Sequence, residues 1–409
     1  MPAMALPAKA AHRLMRDVNR SLVLQILRSG ELMTRVELAR RTRLSKPTVS
    51  AIVDELRREE LVTEIGQEPA RPKGGRPATL ISYNAAADAY AAVQFGPHRV
   101  GALVADGLGQ PRASGGETLD GATPEKATVI AAALVRRLCA DAGVLPDRIR
   151  TVGVAVAGLV ERDTGVCVLA PNLRWRDVPL GLLMTRALGV PAVVVNTVTA
   201  AAHAERLRGA AHEVEDFVWV YAGTGIGAAV VSDGHRHAGV DGFAGELGHC
   251  VVAPDGPRCE CGNRGCLEAV AGAAAITRQA RAAARDGRLQ VAGVAPTRIQ
   301  AVDVARSSDA GDAQAQSLLA ESGALVGLVV SHLVNLVNPA LVVVGGPMVE
   351  SGNAFLTALQ GAVRRHSLAS SRVEVVRTAL GDSAALEGAV GFAVEAHRAP
   401  QPAVLAAAG

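Results

Sequence analysis

At 409 residues the chain is long enough for two or three domains with full cores, and 49% hydrophobic against 20% charged residues excludes a disordered chain or a peptide hormone. Aromatic residues make up only 2%, too few for the stacking platforms of a single-stranded nucleic-acid binder. The net charge of +3 hides a division: residues 1–84 carry 15 Lys and Arg against 9 Asp and Glu, and the remainder 27 against 30, so a small basic module precedes a mildly acidic body.

The opening residues are too short and proline-broken for a signal-peptide core, and no run of 18 apolar residues occurs. A cytoplasmic, nucleoid-associated protein without a membrane partner is expected. From Asp17 to Ser29, Val18, Leu22, Ile26 and Leu27 recur at helical spacing, and Gly30 supplies a stop. Thr34 and Glu37 form a capping box for a short helix to about Thr42. A turn around Leu44 leads to Ser45, an N-cap, with Pro47 tolerated in the first turn of a third helix that buries Val49, Ile52, Val53 and Leu56. This order is a helix-turn-helix. The opposite face of the third helix carries Pro47, Ser50, Ala51, Asp54 and Arg58, flanked by Lys46 and Thr48. Ser45, Lys46, Pro47, Thr48 and Ser50 are the expected major-groove readers and anchors. Strand-like residues 61–65 and 80–83 flank a basic Gly/Pro loop, a wing whose Arg76 suits a narrow minor groove. The alternative for this module is a helical protein-interaction unit with a basic linker.

After Tyr83 short apolar strands alternate with Ala-rich helices, an α/β pattern. Expected strands are 91–95, 100–105, 151–157, 192–196, 217–222, 227–231 and 341–344. Several end in glycine turns, at Gly158, Gly223–Gly227 and Gly345-Gly346, which permit close approach to a phosphate or a sugar but equally serve plain hairpins. The sharpest signal is Cys259, Cys261 and Cys266 within eight residues, preceded by His249. Three thiolates and an imidazole are a closed tetrahedral set for structural Zn²⁺, and soft sulfur disfavours Mg²⁺ or Ca²⁺. Unligated thiols or a regulatory disulfide are the alternatives.

A winged helix-turn-helix, then Gly245-Glu246-Leu247-Gly248-His249, then Cys-x-Cys-Gly-x-x-Gly-Cys-x-Glu, closely resembles the ROK family of sugar-responsive repressors and sugar kinases, over about residues 17–395. The resemblance implies a two-lobed, actin-like (ribonuclease H-like) ATPase fold behind a DNA-binding head at 1–84. It implies a first lobe at 85–199, rejoined by a C-terminal helix at about 383–397, and a second lobe at 200–382 with the zinc loop and an oligomerisation surface. Residues 398–409 read as a disordered tail. The family's sugar ligands map onto Glu246, His249 and Glu268, with further contacts at Asn172 and Asn196; support of the zinc loop alone is the other role open to the two glutamates. Homodimers or homotetramers on double-stranded operator DNA are also implied.

Two departures bear on activity. Family kinases carry Asn-Asp-Ala-Asn where this chain reads Asn196-Thr197-Val198-Thr199, so the catalytic aspartate is replaced by Thr197. A threonine hydroxyl is no base at neutral pH, and losing such a base costs about 10²–10⁴ in rate. Kinases read Asp-x-Gly-Gly-Thr where this chain has Gln94-Phe95-Gly96-Pro97-His98, which lacks the acidic residue, and Pro97 removes a backbone donor. The expected function is a sugar-responsive repressor of carbohydrate genes with no catalytic residues. The competing readings are a sugar kinase, a bifunctional kinase-regulator, or a regulator with a nonsugar ligand or none.

Overall fold

The computed structural model describes residues 8–67, 78–350, 353–368 and 372–399. The head begins with helix α1 (Ala8–Leu27), followed by β1 (Met33–Thr34), α2 (Arg35–Thr42), α3 (Lys46–Arg58), β2 (Val62–Gln67) and β3 (Thr79–Tyr83). Thr34 caps α2 reciprocally with Glu37, and Ser45 Oγ accepts from Thr48 N to open α3, as the sequence dictates. Arg43, in the left-handed region at φ 57°, ends α2. Strands β1, β3 and β2 form an antiparallel sheet whose Val62, Ile81 and Tyr83 close a core with Leu38, Val49, Val53 and Leu56.

One helical phase differs from expectation. The buried residues of α1 are Val23, Leu24 and Leu27, whereas Val18 is 57% exposed and Leu22 and Ile26 are half-buried. The cause is the partner: the face of α1 that meets α3 also carries Arg16 and Arg20, which pair with Glu55 and Glu59. The wing tip, including Arg76, lies outside the described residues, as do 400–409 of the expected tail.

The body continues with β4 (Ala89–Phe95), β5 (Arg99–Asp106), β6 (Pro111–Thr118), α4 (Pro124–Asp141), β7 (Ile149–Val156), β8 (Leu159–Val160), β9 (Cys167–Ala170), β10 (Trp175–Val178), α5 (Leu180–Leu188) and β11 (Ala192–Asn196). A five-stranded sheet of order β11-β7-β4-β5-β6 results, with β11, β7 and β4 parallel. Helix α6 (Thr197–Arg208) leads to β12 (Phe217–Ala222), β13 (Ile226–Ser232) and β14 (His235–Arg236). Then follow α7 (Leu267–Ala271), α8 (Ala273–Arg285), α9 (Ala301–Asp309), α10 (Ala313–Val337), β15 (Leu341–Gly345), α11 (Pro347–Glu350), α12 (Asn353–His366), β16 (Glu374–Arg377) and α13 (Ala384–Arg398). The second sheet has the order β14-β13-β12-β15-β16, with β12, β15 and β16 parallel.

Helices α6 and α13 lie between the two sheets. Their approach depends on glycine: a Cβ on Gly388 would fall 1.7 Å from Ala200 O, and one on Gly153 of β7 would fall 1.9 Å from Ala389 O. Residue 199 lies inside α6, and α13 packs on the first sheet through Ala389, Val390 and Ala393. Helix α10 is long and apolar enough to cross a membrane, but Val326, Val329, Val330 and Val334 are buried in the core of the second lobe.

Head and body are joined by a compact polar node. Asp88, 3% exposed, accepts from Arg28 just beyond α1 at 3.0 Å, from Arg150 of β7 at 2.6 Å and from the Tyr83 hydroxyl. The Arg28 guanidinium lies 5.2 Å over the Tyr83 ring. Despite burial, the three donors hold the Asp88 carboxyl below its usual range. Leu108, from the body, packs on the core of the head, and Arg398 at the end of α13 donates to Gly107 O at 3.1 Å.

Candidate ligand cleft, metal loop and DNA-binding head

In open α/β sheets ligands collect beyond the carboxyl ends of parallel strands. Both sheets place loops there. On the first, the register aligns Gln94, Ala155 and Val195, so the Gly96-Pro97 turn, Gly158 and the start of α6 share one edge. On the second, β12 and β15 end at Gly223–Gly225 and Gly345-Gly346. The two edges meet where Val198 of α6 touches Gly227; a Cβ there would lie 3.0 Å from Val198 Cγ2.

The segment bearing Glu246 and His249 is pressed onto β13 by two glycines. A Cβ on Gly245 (φ +103°) would lie 2.0 Å from Ala228 O, and one on Gly248 2.1 Å from Ile226 O. Glu268, in the first turn of α7, accepts from Ile226 N at 3.1 Å, beneath the Gly223–Gly227 turn. Burial raises the carboxyls of both Glu246 and Glu268, and their mutual repulsion adds to the rise at Glu246. His249 connects this wall to the cysteines: Nε2 faces Glu246 Oε2 at 3.7 Å, and Nδ1 faces Cys259 Sγ at 3.6 Å.

The ligand atoms of His249, Cys259, Cys261 and Cys266 all lie within 4.8 Å of one another, with Cys261 Sγ 3.7 Å from Cys266 Sγ. Zn–S bonds of about 2.3 Å and Zn–N bonds of about 2.0–2.1 Å in a tetrahedron require edges of about 3.5–3.8 Å; the His249–Cys259 and Cys261–Cys266 edges, at 3.6 and 3.7 Å, match, so the donor set fits the ion with a small closure of its widest edges. The loop folds locally to bring them together. Cys259 N donates to Asn263 O at 2.8 Å, bridges join Val251 to Cys266 and Arg258 to Arg264, and Gly265 (φ +66°) lies where a Cβ would meet Ala253 O at 1.5 Å. Burial and neighbouring sulfurs push the Cys266 thiol up to about 12 and burial raises Cys259, whereas hydrogen bonds from the Asn263 backbone and the neighbouring thiols lower Cys261 despite its burial; a cation would let all three sulfurs ionise together.

The remaining expected sugar contacts are placed differently. Asn196 is the N-cap of α6: its Oδ1 accepts from Val198 N and Thr199 N, and its Nδ2 donates to Gly158 O at 2.8 Å. That leaves one amide proton for a ligand. Asn172 is exposed on a 3₁₀ turn, Pro171–Leu173, reached from Gly158 through the tightly packed Ala170.

Thr197 stands at the first turn of α6, with its hydroxyl oxygen buried and unpartnered among the described residues. On the opposite edge, the Tyr221 ring occupies the space between the two glycine turns. A Cβ on Gly223 would lie 2.5 Å from its hydroxyl, and one on Gly346 2.9 Å from its ring. Sequence reading passed over Tyr221, because in Phe217-Val218-Trp219-Val220-Tyr221 it looks like one more alternating strand residue. Its neighbours Glu350 and Asp382 add negative charge, and burial followed by Asp382 raises the Glu350 carboxyl.

In the head, Ser45, Lys46 and Pro47 are exposed at the start of α3, and Thr48 and Ser50 are half-buried. Ser45 Oγ lies 2.8 Å from Thr48 Oγ1, so these two hydroxyls serve the cap as well as any outside contact. Asp54 is occupied by Arg35 at 2.9 Å. The first turn of α3 therefore presents one cation, Lys46, whose backbone N–H is the donor left open there, since Pro47 has none and Thr48 N and Val49 N are bonded to Ser45.

The comparisons follow this division of the chain. Residues 19–71 match the model of the MarR family, and residues 90–396 that of the ROK family. The xylose repressor of Bacillus subtilis is 28% identical over 371 residues, covering 90% of this chain and 93% of the repressor. The glucokinase of Halalkalibacterium halodurans is 33% identical over 245 residues, 59% of this chain and 74% of the kinase. A crystal structure of a ROK family transcriptional regulator, a homologue of Escherichia coli Mlc, superposes with a TM-score of 0.78 at 24% identity, covering 94% of this chain and 96% of its own, which establishes the shared fold. From the start of β4 to the end of α13, and with its Glu-x-Gly-His wall and cysteine loop in place, the chain belongs to the ROK family.

Proposed function

We propose that this protein is a sugar-responsive, DNA-binding transcriptional repressor that binds its sugar without phosphorylating it. The observation that carries the reading is the coexistence, in one cleft, of the Glu246, His249 and Glu268 wall with Thr197 and a Tyr221-filled glycine turn. Carboxylates and an oriented imidazole accept from and donate to vicinal hydroxyls. Neither Thr197 nor Gln94 supplies the base or metal ligand that phosphoryl transfer needs. His249, Cys259, Cys261 and Cys266 would hold a structural Zn²⁺, which fixes the imidazole ring and the loop preceding Glu268.

The head reads double-stranded operator DNA through Ser45, Lys46, Pro47, Thr48 and Ser50, with Arg76 in the minor groove, as a homodimer or homotetramer in the cytoplasm. The glucokinase relative favours one second reading, a kinase that also regulates. The test is operator binding by the full chain against a panel beginning with xylose and glucose, alongside an ATP-coupled assay. A change of about 5–150-fold in operator affinity without sugar phosphate is expected. Sugar phosphate at kinase-like turnover, or indifference to every sugar, would overturn it.

A further inference from the structure

A cavity of about 360 Å³ lies beside the hinge helices, within the range of about 300–1,000 Å³ common for small-molecule pockets. Its walls are apolar: Val193 and Val195 from the edge strand β11, and Phe392 and Ala396 from α13. Its rim carries two arginines from opposite lobes, Arg162 from the turn after β8 and Arg236 from β14. The lobes touch here, since a Cβ on Gly242 would lie 3.2 Å from Val160 O and 3.7 Å from Arg162 Cβ.

The charge of this cavity is uncompensated. Among the described residues no carboxylate pairs with Arg162 or Arg236, and burial and then Arg162 weaken the hold of Arg236 on its proton. The one carboxylate on the wall, Glu395, is turned to α6, 3.3 Å from His203 Nε2 and 3.9 Å from Arg206. Burial, with Arg206 and Arg236 nearby, keeps His203 neutral, at about 4. Arg206 thus answers Glu395, and Arg162 and Arg236 are left without a carboxylate partner among the described residues.

The geometry points to a binding site for a sugar-sized phosphate monoester, with the phosphate held between Arg162 and Arg236 and the carbon skeleton on the valine and phenylalanine wall. A carboxylate has two oxygens, which one guanidinium fork satisfies; a tetrahedral dianion offers oxygens to forks arriving from two sides. Glu246, His249 and Glu268 do not line the cavity; Asn196, the cap of α6, is the residue it shares with the expected sugar contacts. Bound there, the anion removes the repulsion between the two lobes and favours their closed arrangement. The site stands apart from the neutral-sugar reading of the cleft.

Calorimetry on the full chain with glucose 6-phosphate, inorganic phosphate and glucose tests it. Glucose 6-phosphate should bind, Arg162→Gln and Arg236→Gln should each weaken it about tenfold or more, Arg236→Lys should recover part, and Glu268→Gln should leave it unchanged. Melting curves of the same samples establish that the variants are folded. The assignment is overturned if no phosphate compound binds, if binding survives both arginine replacements, if Glu268→Gln abolishes it, or if inorganic phosphate binds as tightly as the ester. If no neutral sugar binds while the ester does, the repressor reading of the cleft fails and this one stands.

Discussion

The two halves of the interlobe cleft have fared differently. In the half built by the second lobe, Glu246, His249 and Glu268 are pinned by glycine contacts to β13, a backbone donor from Ile226 and the cysteine loop, all from that one lobe. In the half where a phosphate would be transferred, Thr197 leaves a buried hydroxyl unpartnered, Pro97 withdraws a donor and Tyr221 fills the glycine turn. On the proposed reading, binding and chemistry are separable in this fold: a wall that would recognise hydroxyls is held within the second lobe, whereas phosphoryl transfer would need groups from both sheets at once.

Breaking the retained half should have the largest effect. Cys261→Ser should release the metal, melt the loop from Val251 to Cys266 and abolish sugar binding altogether, because metal binding and loop folding are one free energy; elemental analysis and calorimetry on the same sample check both. Glu268→Gln should weaken sugar by about 10–150-fold, the scale of hydrogen bonds to a charged group at about 1.5–3 kcal/mol, while operator affinity without sugar stays at its starting value. A subtler break is the head junction: Asp88→Asn should cost about 3 kcal/mol, because it leaves Arg28 and Arg150 without their shared partner, and should reduce the response of operator binding to sugar without changing sugar affinity.

The dismantled half sharpens the comparison in the other direction. Thr197→Asp restores the expected base, yet sugar phosphate should remain undetectable in an ATP-coupled assay, since Gln94, Pro97 and Tyr221 are untouched. Appearance of product would mean that Thr197 alone separates this chain from a kinase. The effect confined to the narrowest conditions, acid pH, concerns the hinge. His203 is held neutral at about 4 against 6.5 for a free histidine, so the unfolded chain binds more protons below about 6.5. Stability is full above that pH and falls on acidification toward 4, by at most about 1.4 kcal/mol per unit. His203→Gln should flatten that part of the denaturation profile; an unchanged slope would place the acid sensitivity elsewhere.

What the sequence revealed depended on how local each determinant is. Thr34 with Glu37, and Ser45 with Thr48, are settled within four residues, so the helix starts of the head were legible. The cysteine loop was legible for the same reason: His249 and the three thiols lie within eighteen residues, and turns alone bring them together. Residues whose surroundings are assembled from distant chain escaped notice. Strand β6, Pro-Arg-Ala-Ser-Gly-Gly-Glu-Thr, has no alternation and exists because β5 offers it an edge. The phase of α1 depends on which of its faces meets α3. Asp88 reads as one acid in a turn, and only the fold brings Arg28, Tyr83 and Arg150 to it. Arg162 and Arg236 are 74 residues apart in sequence and on different lobes.

The node at Asp88 makes the head a spoke on the hub of the first lobe. A flexible linker would convey only the presence of the body, leaving each recognition helix to search independently for its half-site. A rigid spoke conveys angle. With Arg28 seated on Asp88, Leu108 in the core of the head and the last arginine of α13 holding the neighbouring turn, a rotation of one lobe against the other is carried outward along the head. The displacement would grow with distance from the hub, so in the proposed homodimer or homotetramer a small closure of the cleft would become the largest shift at the tip of α3, where the spacing between copies would have to match the pitch of DNA.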